Sequence, residues 1–146
     1  MKTIEINAYE YSELSEKAKL KALIDYQSDC EYDWSYDAVK SLKAFMNAVG
    51  VTMVNYNIDW LEPNRSRVQY YGKPTTKFIK EELTGYCADI ALSKTFNKKR
   101  SIEDAVFAFF KDCADDYEYQ LSEDGFIEYC ERNEITFDEY GNQLNY

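Results

Sequence analysis

The stretch SYDAVKSLKAFMNAVGVTMVNYNIDWLEPNRSRVQYYGKP, residues 35–74, changes its hydrophobic period partway along, and that change sets the fold class. From Ser35 to Ala48, and on to Val49, apolar Val39, Leu42, Phe45, Met46 and Val49 recur at spacings of three and four. That is the stripe of a helix with one buried side. Gly50 follows, the residue best suited to the left-handed backbone that often ends a helix. Val51–Trp60 then reads as a strand, with Met53, Tyr56, Ile58 and Trp60 prominent, and Arg67–Tyr71 as a second. Pro63-Asn64 makes the turn between them, and Gly72-Lys73-Pro74 ends the second. The pair predicts an antiparallel hairpin following a helix.

Working outward, Thr3–Tyr9 alternates with period two and predicts a strand. Ser12 or Ser15 caps a helix to about Ser28, with Leu20, Leu23, Ile24 and Gln27 on one stripe and Lys17, Lys19 and Lys21 on the polar side. Downstream, Thr75 or Thr76 opens a helical segment to about Leu83, Thr84-Gly85 interrupts it, and another helix runs to about Phe96. Asn97–Arg100 is a basic connection. Ser101-Ile102-Glu103-Asp104 carries a capping signature and starts the longest helix, along which Ile102, Ala105, Val106, Phe109, Cys113 and Tyr117 keep the helical period. Ser122-Glu123-Asp124-Gly125 is either a break or the cap of a further helix reaching Arg132, and residues 135–144 read as a short hairpin. The expected architecture is α+β in a single domain, 1–146. A small antiparallel sheet from residues 2–9, 51–60 and 66–71 packs against about five helices, with a short C-terminal hairpin.

Charge is laid out in blocks. Residues 1–63 sum to −5, residues 64–100 to +6 and residues 101–146 to −11. Folding is nearly indifferent to the sign of surface charge, whereas clustered like charges repel. The acidic block is therefore a candidate working surface as well as a solubilising one. Tyrosine, with 14 copies, is a residue of core rims and of interfaces. The N-terminus has no apolar leader and no run approaches the length of a spanning helix, which predicts a cytoplasmic protein with no membrane partner. Cys30, Cys87, Cys113 and Cys130 are widely spaced. In a reducing compartment they are expected to be free thiols, with Cys113 buried.

The chain contains no histidine, which removes Ser-His-Asp and Cys-His catalysis and nearly all zinc hydrolase sites. No phosphate-cradling glycine motif occurs. Asp29-Cys30-Glu31-Tyr32-Asp33 resembles half of a calcium loop, but Trp34 stands where glycine is needed and Lys40 where glutamate is needed. Asp25, Asp29, Glu31, Asp33 and Asp37 form one acid cluster, and Glu81, Glu82 and Asp89 lie in the basic segment, with no metal-site spacing among them. The expectation is a non-enzyme with no cofactor and no bound metal. A carboxylate-metal nuclease is the third-ranked alternative. Arg65, Arg67, Lys73, Lys77, Lys80, Lys94, Lys98, Lys99 and Arg100 make the middle basic, but the overall charge of −10 argues against direct nucleic-acid binding. These bases are expected to pair with the acidic blocks or to meet an acidic patch on a partner.

Tyr9-Glu10-Tyr11-Ser12-Glu13-Leu14-Ser15 through Ala22, then Tyr32-Asp33-Trp34, and Phe137–Gly141 near the end resemble a group of small acidic proteins encoded by phages and mobile elements of Gram-positive bacteria. About a third of the chain carries the resemblance. It implies a phage-encoded inhibitor of host defence, in the manner of anti-CRISPR proteins. Such a protein binds a CRISPR effector nuclease without catalysis, through an acidic surface that mimics nucleic acid in a channel built for phosphates. The alternative is an antitoxin-like or regulatory partner of a basic protein. The partner-binding residues are expected on the acidic C-terminal block: Asp112, Asp115, Asp116, Glu118, Tyr119, Glu123 and Asp124. Positions 112, 115, 116 and 119 share one helical face.

Overall fold

The structure is a computed structural model that describes residues 3–80, 83–86 and 88–144. The fold is α+β, with five α-helices and a two-stranded antiparallel sheet among the described residues. The chain divides into two compact units, one from Tyr32–Glu118 and one from Met1–Glu31 with Tyr119–Tyr146.

In the continuous unit the quoted stretch does what its periodicity demands. Helix α2 (Ser35–Val49) buries Leu42, Phe45, Met46 and Val49, with Ala38 and Ser41 beside them, while Val39 at the margin is only half-buried. Here α1 denotes Glu16–Asp29 of the other unit. Gly50 ends α2 with φ 86°, a conformation that costs a residue with a Cβ energy. Strands β1 (Thr52–Asn57) and β2 (Arg67–Tyr71) pair antiparallel, from Thr52 opposite Tyr71 to Asn57 opposite Arg67. An irregularity between Met53 and Asn55 leaves Val54 without a partner and 63% exposed. Along β2, Val68 and Tyr70 face the core and their neighbours face solvent, the alternation of a half-buried strand. Ser66 closes the turn: its buried hydroxyl accepts from the Asp59 amide at 3.0 Å and donates to the Asp59 carbonyl at 3.1 Å.

Helix α3 (Ala88–Lys99) buries Leu92 and Phe96 against α2, and Phe45 meets Phe96 edge-on at 5.6 Å. Helix α4 (Ile102–Leu121) opens with the Asp104 amide donating to the Ser101 hydroxyl. It contributes Ile102, Ala105, Val106, Phe109, Phe110, Cys113 and Ala114 to the same core. The expected helical segment from Thr75 does not form: residues 74–80 have no regular structure, and Glu81 and Glu82 lie outside the described residues. Lys77, Phe78 and Lys80 are exposed and only Ile79 is buried, so no repeating apolar face rewards a helix there. The segment is tied down instead by Asn97, whose side chain bonds both the amide and the carbonyl of Ile79 at 2.7 and 2.8 Å.

The discontinuous unit holds α1, capped by Ser15, and helix α5 (Glu123–Arg132), capped by Ser122. They pack through Ala18, Ala22, Phe126 and Cys130, with Tyr11, Leu14 and Phe137. Two expectations fail here. The buried side of α1 is the small-residue row Ala18 and Ala22, whereas Leu20 and Ile24 are 58% and 50% exposed. Close approach of helices favours alanine, and Gly141 uses the room: a Cβ on it would lie 2.2 Å from the Ala18 carbonyl oxygen. Residues 3–8 form no strand, because only Tyr9 finds a backbone partner, Phe137, at 2.8 Å in both directions. Alternation alone cannot make a strand without an edge to join. The tail closes as a minimal hairpin, with a bridge between Phe137 and Gln143 and a turn tied by Asp138 to the amides of Tyr140 and Asn142.

Candidate functional site

The buried side of α4 leaves its acids outside. Asp112, Asp115, Asp116 and Glu118 are all exposed in the continuous unit, and none of them forms an ion pair among the described residues. The Asp112 carboxyl is held above the usual carboxylate range, first by partial burial and then by the neighbouring Asp115 charge, against an opposing pull from Lys111. Asp116 has a structural partner. Its carboxylate accepts from the Tyr32 hydroxyl at 2.7 Å, and Tyr32 is buried against Trp60 and Tyr117 with ring centroids 5.3 Å away. Burial and the Asp116 carboxylate raise the Tyr32 phenol, so this bond persists across ordinary pH.

Beside this row lies a cleft of about 530 Å³ in the same unit. Tyr32, Trp34, Asp37 and Ala38 form one wall, at the start of α2. Gly85, Tyr86 and Ala88 form the second, and Phe109, Asp112, Cys113 and Asp116 of α4 form the floor. Three carboxylates and four aromatic rings therefore line it, with no lysine or arginine among them. Trp34 is 54% exposed. The Cys113 thiol is pushed up to about 12, chiefly by burial, and stays protonated.

The second wall is held by Asp89, which is 1% exposed. One of its oxygens accepts from the amides of Leu83, Thr84 and Gly85 at 3.0, 2.8 and 3.0 Å, and the other from the Thr84 hydroxyl at 2.9 Å. Burial would raise this carboxyl, but the bonds from Thr84, Ser41 and Leu83 outweigh it and leave it below the usual range. Asp89 is thus a structural carboxylate that organises the 83–86 loop.

The remaining sequence candidates belong to the discontinuous unit. The Tyr119 hydroxyl donates to Glu128 at 2.8 Å. Glu123 accepts from the buried Tyr11 at 2.7 Å, and Asp124 is exposed beside it in the first turn of α5. Acids at that end of a helix complement its dipole, so Glu123 and Asp124 have a local structural reason to be there. The seven candidates are therefore divided between the units, four and three.

Of the other acids, Asp25 pairs with Lys21 at 2.7 Å. Among the described residues no group of three or more His, Cys, Asp or Glu side chains is arranged to hold a metal ion. The nine bases of residues 64–100 are exposed, and none of them is ion-paired among the described residues. Arg100 instead stacks over Phe78 at 4.8 Å. Cys30, Cys113 and Cys130 are free thiols, and Cys87 lies outside the described residues. No described helix is long and apolar enough to cross a membrane.

Asp37, Trp34 and Asp89 stood out in the residue order only as members of an acid cluster, a motif and a weighed metal set, and neither they nor Tyr86 were expected to share a cleft. Tyr32-Asp33-Trp34 stood out as a motif, but its convergence with residue 86 and α4 has no signature along the chain. Comparison with protein-family models, curated proteins and solved structures finds no match.

Proposed function

We propose that the protein acts by binding, presenting the acidic face of α4 to a basic partner surface shaped to receive phosphates. The observation that carries this is the pair Asp112 and Asp115: exposed, mutually repelling, and in no ion pair among the described residues. Such repulsion is relieved when a cationic surface docks, so the complex gains relative to the free protein. The partner class, a CRISPR effector nuclease in the cytoplasm of an infected bacterium, rests on the resemblance of residues 9–22 and the closing hairpin to phage-encoded proteins. In that setting the acid row competes for a channel that otherwise holds a nucleic-acid backbone.

The test is competition between the protein and guide RNA for the bare effector, with Asp112 and Asp115 reversed to lysine. Asp116 is left in place because it anchors Tyr32. The reading expects association slowed at least about tenfold and affinity that falls with salt, since exposed charges are screened over ~8–10 Å. Unchanged competition by the double reversal, with loss instead on Lys98→Glu and Lys99→Glu, refutes it.

A further inference from the structure

We infer that the cleft between the start of α2, the 83–86 loop and α4 is a receptor for an arginine side chain of a basic partner protein. The inference rests on the binding reading above and names the group that the partner inserts. It starts from shape: about 530 Å³ lies within the ordinary range of small-ligand pockets, roughly 300–1,000 Å³. Chemistry then selects the ligand. Asp37, Asp112 and Asp116 line the cleft, and no lysine or arginine does. Two lysines stand nearby. Lys111 follows the chain next to Asp112 and lowers its carboxyl only against larger opposing effects. Lys40 places its ammonium 5.9 Å from the Tyr86 ring centre, so that ring already attracts one cation.

Aromatic surface decides between cations. Trp34 lines the cleft and is 54% exposed, so much of its indole is open to a ligand. A guanidinium is planar: it stacks on such a face while its fork of donors engages a carboxylate through two bonds. An ammonium does only the second, as a point charge. The floor is set in advance. Tyr32 is held by Asp116 at 2.7 Å and by stacking on Tyr117, and that bond uses one carboxylate oxygen and leaves the other for a ligand. Asp89 fixes the opposite wall through its amide contacts. A preformed site avoids the ordering cost of assembly, and arginine is among the residue types enriched at interface hot spots.

The test uses the whole chain and N-acetyl-arginine amide as the probe, followed by NMR at the Trp34 indole and the Gly85 amide. N-acetyl-lysine amide and the neutral isostere N-acetyl-citrulline amide serve as controls. Saturable shifts with arginine, several-fold weaker with lysine, absent with citrulline, and abolished by Trp34→Leu or Asp37→Asn, support the inference. No saturable shift, an equal response to citrulline, or shifts confined to other surfaces overturn it. The probe needs no partner, so a negative result removes the cleft while leaving the α4 competition assay to judge the broader reading. If that assay succeeds, Trp34→Leu is expected to weaken partner binding by about tenfold. Unchanged partner affinity in that variant also overturns the inference.

Discussion

Replacing Asp89 by alanine is expected to be among the most destabilising single changes in the continuous unit. The carboxylate is 1% exposed and accepts three amides and one hydroxyl within 3.0 Å. Hydrogen bonds to a charged acceptor contribute about 1.5–3 kcal/mol each. The full sum does not apply, because water reaches half-buried Leu83 and Thr84 and exposed Gly85 once the loop loosens. A net cost of about 3–5 kcal/mol remains, the range for breaking a buried polar network. Asparagine should cost less than alanine. Its carbonyl can take the oxygen position that serves the three amides, and its amide nitrogen then faces the Thr84 hydroxyl, which can accept. Urea unfolding followed by tryptophan fluorescence measures this, since Trp34 and Trp60, the only two tryptophans, both lie in Tyr32–Glu118. The effect also depends on pH. The folded carboxyl is lowered, so its stabilisation is present above the unfolded value, near pH 3.9, and is lost as pH falls through the folded value. The gap between the parent protein and Asp89→Asn should therefore narrow below about pH 4. A cost under ~1 kcal/mol for alanine, or equal costs for alanine and asparagine, would refute the account of the loop.

Three further outcomes follow from packing. Phe109→Ala, at a position with no exposure, should cost about 3–5 kcal/mol by the same fluorescence assay, and less than ~1 kcal/mol would mean that the buried side of α4 is misassigned. Peptide mapping after thiol labelling of the folded protein at pH 8 should find Cys113 and Cys130 protected until unfolding, because burial first of all pushes their thiols up to about 12 and about 11; fast native labelling of either would contradict this. Gly141→Ala combines a backbone at φ 87° with a contact of 2.2 Å to the Ala18 carbonyl oxygen. It should destabilise the discontinuous unit by more than ~1 kcal/mol, read by tyrosine circular dichroism. A neutral result there would mean that the tail hairpin does not seat on α1.

Local chemistry was enough to read much of this protein from its residues in order. Val39–Val49 at spacings of three and four, Gly50 behind them and two short β-rich runs around Pro63-Asn64 specify a helix and a hairpin, because each signal lies within one turn or one pair of strands. The Ser101 cap was legible for the same reason, and the structure selects Ser15 over Ser12 and a cap over a break at Ser122, since a cap bonds an amide three residues away. The acids of α4 were likewise visible in the residue order, but Asp112 and Asp116 stand three and seven residues from Phe109 and so flank the buried side, while Glu118 alone lies opposite it. Other outcomes depended on neighbours far along the chain. Thr3–Ala8 alternates like a strand but has no sheet edge to join, and α1 turns Ala18 and Ala22 inward rather than Leu20 and Ile24 because Phe126, Phe137 and the Gly141 turn need close approach. Asp116 looked like one more surface acid until Tyr32, 84 residues away in sequence, closed on it. The sequence by itself determined the helix of residues 35–49, the hairpin behind it and the sign of the exposed face, all set by interactions within a few residues, but it also suggested a helix from Thr75 that does not form. Only the tertiary structure decided which acids hold the fold, which stand exposed, and that Trp34, Tyr86 and Asp112 share one cleft, because those placements depend on burial and on contacts that local spacing does not encode.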